Sequence, residues 1–190
     1  TYEKITVVLA TKLVAKYFPT KNGELNLDEY TPGDKAIPFE IVKELKGAAL
    51  VGQQYEQLMP YQQPEEGKAF ELIAANFVTT EDGTGIVHLA PSFGSDDYIA
   101  AKQNGIGFLT LVDRQGKFIP GVGEFSGLYV KNYKDDDESA DGYQSTDVKI
   151  AIKLKTENKA FKVEKYEHSY PHCWRTDKPL LYYPMESWFI

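Results

Sequence analysis

The stretch from Thr79 to Asp97 concentrates side chains able to carry chemistry: Thr79, Thr80, Asp82, Thr84, His88, Ser92, Ser95, Asp96 and Asp97. His88 lies within the apolar run Ile86-Val87-His88-Leu89-Ala90, and Asp97 follows nine residues later, where a helix is expected to begin. A histidine at a strand end and a carboxylate in the next helix's first turn, joined by a short loop, can face one cavity. Unpaired N–H groups and the helix macrodipole keep such a carboxylate ionised at neutral pH. That suits Asp97 to hold a substrate ammonium and not to serve as a general acid. Both residues also have structural explanations. His88 would be a core histidine with a satisfied ring, and Asp97 a stabiliser of the helix start, with Asp96 or Ser95 as the cap.

Other constellations are weaker. Ser92 or Ser95 with His88 and an aspartate can be drawn as a hydrolase triad, yet no G-x-S-x-G elbow exists. His168, His172 and Cys173 form an H-x3-H-C cluster, but a tetrahedral zinc site needs a fourth ligand, and the chain has a single cysteine and three histidines. A carboxylate would have to complete it, and a polar–aromatic strand at an interface explains the cluster more simply. Gly83-Thr84-Gly85 lacks the third glycine of a dinucleotide fingerprint, and no GxxxxGK[ST] loop is present.

The elements that must position these groups are short. Strands are expected over 5–10, 48–51, 70–80, 86–90, 109–112, 117–119, 128–130 and 163–166, from their β-branched and aromatic content. Residues 81–85 would join two of them as a hairpin. Helices are expected over 11–18, 39–45, 98–104 (closed by Gly105) and 148–155, the last preceded by an acidic stretch from Tyr133 to Asp147. Pro19 to Pro38, with Asn22-Gly23 and Pro32-Gly33, reads as a loop or hairpin excursion. Many short strands with interspersed helices point to a β-rich α+β or barrel-centred domain rather than a doubly wound one.

Composition narrows the function classes. At 190 residues, with 42% hydrophobic and 13% aromatic content, the chain has material for a core, which excludes wholesale disorder. Its apolar runs fall far short of the roughly 20 residues of a membrane span. One cysteine excludes an internal disulfide framework and fits a reducing, cytoplasmic setting. A net charge of −7 argues against an autonomous nucleic-acid binder. The start at Thr1 and the apolar end Trp188-Phe189-Ile190 lead us to expect a piece of a longer polypeptide.

The seventeen residues from Glu81 to Asp97, EDGTGIVHLAPSFGSDD, closely resemble the signature of the inserted editing domain of isoleucyl-tRNA synthetases. His168-Ser169-Tyr170-Pro171-His172-Cys173-Trp174-Arg175 and Pro184-Met185-Glu186-Ser187-Trp188-Phe189-Ile190 look like the stretch where that domain returns to the synthetase core. The leading segment and Leu50-Val51-Gly52-Gln53-Gln54-Tyr55 fit in order and spacing, so the likeness spans nearly the whole chain. Valyl and leucyl relatives share the Gly-Thr-Gly turn but carry other residues at the place of His88, which favours the isoleucyl branch.

The resemblance implies a mixed, β-rich α+β fold: a β-barrel-centred editing domain of the Val/Ile/Leu-tRNA synthetase type with peripheral helices. Residues 1–190 would form one domain, with about 168–190 as its return segment. It implies hydrolysis of valine wrongly esterified to tRNA(Ile). One methylene discriminates by only about 1–3 kcal/mol, a limit for which this family is the standard example, so a second sieve must remove the smaller product. Carried over by motif, Asp97 binds the α-ammonium, and His88 lines the pocket, excludes the isoleucyl side chain and contacts the terminal adenosine. Thr84, Ala90 and Phe93 are expected wall residues. No metal or cofactor is expected in this domain, whereas the parent enzyme uses ATP and magnesium. The expected partners are the mischarged 3′ end of tRNA(Ile) and the rest of the synthetase, with no membrane and a monomeric state. The alternative is a non-catalytic insert that docks the tRNA acceptor end or serves as structure.

One departure stands out. The family's threonine-rich segment, of the kind WTTTPWTLP, has no counterpart here, and Thr11, Thr79 and Thr80 do not replace it on motif grounds. The expected consequence is weak or absent deacylation of valyl-tRNA(Ile) by the isolated chain. An isolated chain that matches the full synthetase in a deacylation assay would contradict this expectation.

Overall fold

A computed structural model of the chain describes residues 4–131, 141–182, 184, 185 and 188. Two compact units emerge, Thr1–Gln54 with Glu71–Leu89, and Tyr55–Phe70 with Ala90–Ile190. The α-helices are α1 (Val14–Tyr17), α2 (Ser95–Asn104) and α3 (Thr146–Thr156), accompanied by short 3-10 turns. Among the described residues, β-pairing is confined to isolated bridges: Gln54↔Glu71, Lys68↔Ile106, Val112↔Phe118, Lys117↔Tyr129 and His172↔Pro179. No strand ladder forms among them, so the expected β-barrel-centred, β-rich α+β fold is not what this chain adopts.

Local conformation explains the difference. Residues rich in β-formers make a strand only where a partner supplies a continuous ladder. Here each pairing stops after two or three bonds. Gly47–Leu50 winds into a 3-10 turn instead of a strand, and Gly52 follows with φ +84°. The pairing of Leu72 with Gly52 and Gln53 (both bonds 2.8 Å) is then cut short by a turn in which the Val78 amide donates to the Ala75 carbonyl. Residues 39–45 form no helix either. Their apolar positions Ile41, Val42 and Leu45 are exposed, and an apolar stripe stabilises a short helix only when it is buried.

In the first unit, α1 is anchored on the turn at 82–85. The Ala10 amide donates to the Thr84 carbonyl (2.8 Å), the Tyr17 hydroxyl donates to the Gly83 carbonyl (2.8 Å), and Lys16 pairs with Asp82 (3.5 Å). Gly85 has φ +79°, and a β-carbon there would lie 2.6 Å from the Ala10 methyl, so both backbone and space require glycine. Leu13 and Asn22 are buried. The Asn22 side-chain amide donates to the Ile37 carbonyl (3.1 Å), which ties down the 19–38 excursion.

In the second unit, α2 buries Ala100 and Ala101 and stops at Gly105, which takes the left-handed conformation (φ +69°), as the sequence led us to expect. Residues 111–130 fold back on themselves through bonds such as Phe118 N to Leu128 O (2.9 Å) and Ile119 N to Leu111 O (3.0 Å). Val112, Val122 and Phe125 are buried, with the Tyr61 and Phe118 rings against Phe125. Helix α3 starts where the Ser145 hydroxyl accepts the Val148 amide (3.3 Å), and Thr146 Oγ1 donates to the Tyr129 carbonyl (2.6 Å). Residues 132–140, most of the acidic stretch, lie outside the described residues, as do Glu186, Ser187, Phe189 and Ile190 of the closing motif. No helix among the described residues is long and apolar enough to cross a membrane.

A polar chain ties α3 to the rest of this unit. Tyr61 OH donates to Glu124 Oε2 (2.7 Å), Lys153 pairs with Glu124 (2.8 Å) and with Glu157, and Lys159 pairs with Glu157 (2.8 Å). The Lys153 ammonium, with help from the backbone amide and the Tyr61 hydroxyl, lowers the Glu124 carboxyl from its ordinary 4.5 to about 2. A carboxyl more acidic in the folded state stabilises the fold above its ordinary value and loses that contribution as pH falls through the folded one. Stability should therefore drop between pH 4.5 and about 2, and Glu124→Gln should remove part of that drop. Denaturant unfolding of both proteins across this range measures it.

Candidate functional site

The best-defined geometry among the expected site residues lies at the start of α2. The N-cap is Gly94, with no side-chain cap bond, so neither Ser95 nor Asp96 caps the helix. Asp97 occupies the third helical position and is half-buried. Its carboxylate reaches past the N-cap, and Oδ2 accepts the Ala90 amide at 3.0 Å. The Phe93 amide donates to the Ala90 carbonyl (2.9 Å), which closes the loop between Ala90 and the helix. Asp97 Oδ1 makes no hydrogen bond among the described residues, so Oδ2 alone is committed to the loop. Ala90 and Phe93 are both half-buried beside this turn in the sequence.

Thr84 and His88 belong to the first unit, whereas Ala90, Phe93 and Asp97 belong to the second. Thr84 is half-buried, donates from Oγ1 to the Ile86 carbonyl (3.0 Å), and through its own carbonyl accepts the Ala10 amide. His88 is exposed and lies outside any helix or strand, which removes the core-histidine explanation and the strand expected to carry it. Of the two serines drawn into a hydrolase triad, Ser92 is buried and its Oγ accepts a hydrogen bond from Thr110 Oγ1 (3.0 Å), while Ser95 is the exposed first residue of α2. Of the expected residues, the structure joins Ala90 to Asp97 and ties Thr84 to Ala10.

With this geometry in place, comparison with known proteins is informative. No family model matches the chain. The isoleucine–tRNA ligase of Cytophaga hutchinsonii is 53% identical over 209 residues, covering 100% of this chain and 19% of the ligase. That of Bacteroides fragilis is 47% identical over 216 residues with the same coverage, and that of Clostridium tetani is 47% identical over 152 residues, 80% of this chain and 13% of the ligase. The chain is homologous to a segment of isoleucine–tRNA ligases. It spans about a fifth of the length of the curated relatives with which it aligns throughout. Relatives named isoleucine–tRNA ligase thus align with the whole of this chain at 47–53% identity, in keeping with the resemblance read from Glu81–Asp97.

Sequence reasoning missed two features of this segment. Gly94 stands against the Asp97 carboxylate; the Gly-x-x-Asp spacing, N-cap to third helical position, was the signal that could have found it. Tyr17 and Ala10 hold the Gly-Thr-Gly turn, a pairing distant in sequence and carried by no local pattern.

The second cluster of reactive residues is arranged as a tight turn. The Cys173 amide donates to the Lys178 carbonyl and the Asp177 amide to the Cys173 carbonyl, both at 2.8 Å. His168 and His172 each hold a ring nitrogen near a neighbouring carbonyl, Ser169 O (3.0 Å) and Tyr170 O (2.8 Å). Among the described residues, no three His, Cys, Asp or Glu side chains gather as a metal site. What the turn does is acidify the thiol: the Thr176 hydroxyl first, then the Arg175 and Thr176 amides, lower the Cys173 pKa below its ordinary value. Thr176→Val should raise it and slow alkylation by iodoacetamide at neutral pH. A pH-resolved alkylation rate for both proteins provides the check.

Proposed function

We propose that this segment edits within an isoleucine–tRNA ligase, hydrolysing the ester of valine wrongly attached to tRNA(Ile). The observation that carries the reading is the half-buried Asp97 carboxylate, held to the Ala90 amide through Oδ2 with Oδ1 unoccupied. A carboxylate fixed in this way is suited to the α-ammonium of an aminoacyl ester, the one cationic group at the 3′ end of charged tRNA. Homology along the whole chain to isoleucine–tRNA ligases supports the same reading.

In this scheme water attacks the ester carbonyl carbon, the bond from that carbon to the ribose oxygen breaks, and the ribose oxygen takes up a proton. Valine and uncharged tRNA leave. Asp97 fixes the substrate by its ammonium, while His88 contacts the terminal adenosine and bars the larger isoleucyl side chain. Thr84 in the first unit, and Ala90 and Phe93 in the second, are assigned substrate contact by motif alone. No side chain is assigned as general base; orientation of the water and help from the neighbouring ribose hydroxyl supply the rate. The chemistry needs no cofactor in this segment, and ATP with magnesium serves the ligation reaction elsewhere in the enzyme. The partners are the 3′ end of tRNA(Ile) and the remainder of a cytoplasmic ligase.

Asp97→Ala in a full-length isoleucine–tRNA ligase carrying this segment tests the reading. Valyl-tRNA(Ile) should accumulate and its deacylation should slow about ten- to a hundredfold, matching the roughly 1.5–3 kcal/mol of a hydrogen bond to a charged group. An insert that only docks the acceptor end would show no accumulation, and that result would refute the editing role.

A further inference from the structure

Gly94 has an extended backbone, φ −151° and ψ 139°, a conformation open to any residue. Its backbone therefore does not explain why it is glycine. Space does. A β-carbon at this position would lie 3.1 Å from Asp97 Oδ2, 3.2 Å from Cγ and 3.4 Å from Cβ. The crowded oxygen is the one that accepts the Ala90 amide at 3.0 Å.

A carboxylate at the third helical position ordinarily folds back onto the N-cap amide. Asp97 instead reaches past residue 94 to Ala90, so closely that a β-carbon on residue 94 would make the carboxylate give by a few tenths of an ångström. We propose that Gly94 is a positioning residue for the editing reaction: its missing β-carbon lets the Asp97 carboxylate seat on the Ala90 amide, which aims Oδ1 at the substrate ammonium. This inference rests on the proposed role of Asp97. Gly94 itself touches no substrate. It acts through the place it leaves for another group.

Serine is the discriminating substitution, because it is at least as good an N-cap as glycine and so maintains or strengthens α2. Its β-carbon nevertheless crowds Asp97. In a full-length isoleucine–tRNA ligase carrying this segment, Gly94→Ser should keep or raise the Tm while lowering kcat/KM for valyl-tRNA(Ile) deacylation on the order of tenfold, as expected for displacing a binding group by a fraction of an ångström. The loss should appear mainly in KM. Introduced into Asp97→Ala, the serine should add no further loss, because both changes act on one interaction.

Undiminished kcat/KM in Gly94→Ser, with Asp97→Ala impaired, would overturn the positioning role and leave the editing reading intact. An equal loss in the wild-type and Asp97→Ala backgrounds would overturn it too, since the glycine would then act independently of Asp97. If Asp97→Ala deacylates normally, the editing reading falls and this inference falls with it.

Discussion

Between Ala90 and Asp97 the chain must pass from extended backbone into a helix, and a helix start leaves amides without partners. In most helices a cap side chain meets that need. Here Gly94 has none to offer, and the carboxylate at the third position spends one oxygen further back, on Ala90. The hydrogen bond joins the two ends of the loop, so Phe93, Ser92 and Gly94 are held in a closed turn rather than a free connection. Because the acceptor is charged, it is stronger than a neutral bond of the same length. The bond also orients Asp97 itself, since a carboxylate fixed through one oxygen has little freedom left for the other. Loop order and carboxylate aim thus come from a single contact.

Turns closed by a few well-placed bonds recur through both units and replace the ladder that a β-rich fold would use. In the first unit the Gly-Thr-Gly turn is held by Ala10, Lys16 and Tyr17, residues of the α1 region far away in sequence. In the second, the 111–130 stretch folds on itself, and the Tyr61–Glu124–Lys153 chain connects it to α3. Exposed ion pairs of this kind contribute modestly one by one; their value here is geometric, as they join segments that share few buried contacts.

How much of this was legible in the sequence depended on how local the cause was. The α2 helix could be read because its stop, Gly105, and its acidic first turn are adjacent to it. The α3 helix was legible over 148–155 behind the acidic Asp147, but its start at Thr146 and its Ser145 cap were not read. The strands failed because a run such as Phe70–Thr80 states only a preference for extended backbone, while pairing is a property of two segments and their register. The helix expected at 39–45 failed because spacing cannot say whether its apolar side will be covered. At the candidate site, Asp97, Ala90 and Phe93 could be named from a motif, whereas the bond between Asp97 and Ala90 could not be foreseen. Its partner is a backbone amide, and any residue but proline could provide one.

The −7 charge acquires a more definite meaning under the proposed editing role. An acidic chain gains little from counterion release and is unsuited to gripping a tRNA body. Its selectivity must lie in a local contact. Uncharged and charged tRNA carry the same phosphates, and they differ at the 3′ end by an aminoacyl group whose ammonium is cationic. Two opposite unit charges about 4 Å apart attract by roughly 1 kcal/mol in bulk water and about 4 kcal/mol at the effective dielectric near a protein surface. Under that role a half-buried carboxylate separates aminoacylated ends from those already free, and telling valine from isoleucine is left to the size of the side chain admitted. Under the proposed role, the net charge that argues against nucleic-acid binding in general agrees with recognition of the cationic ammonium of an aminoacyl end.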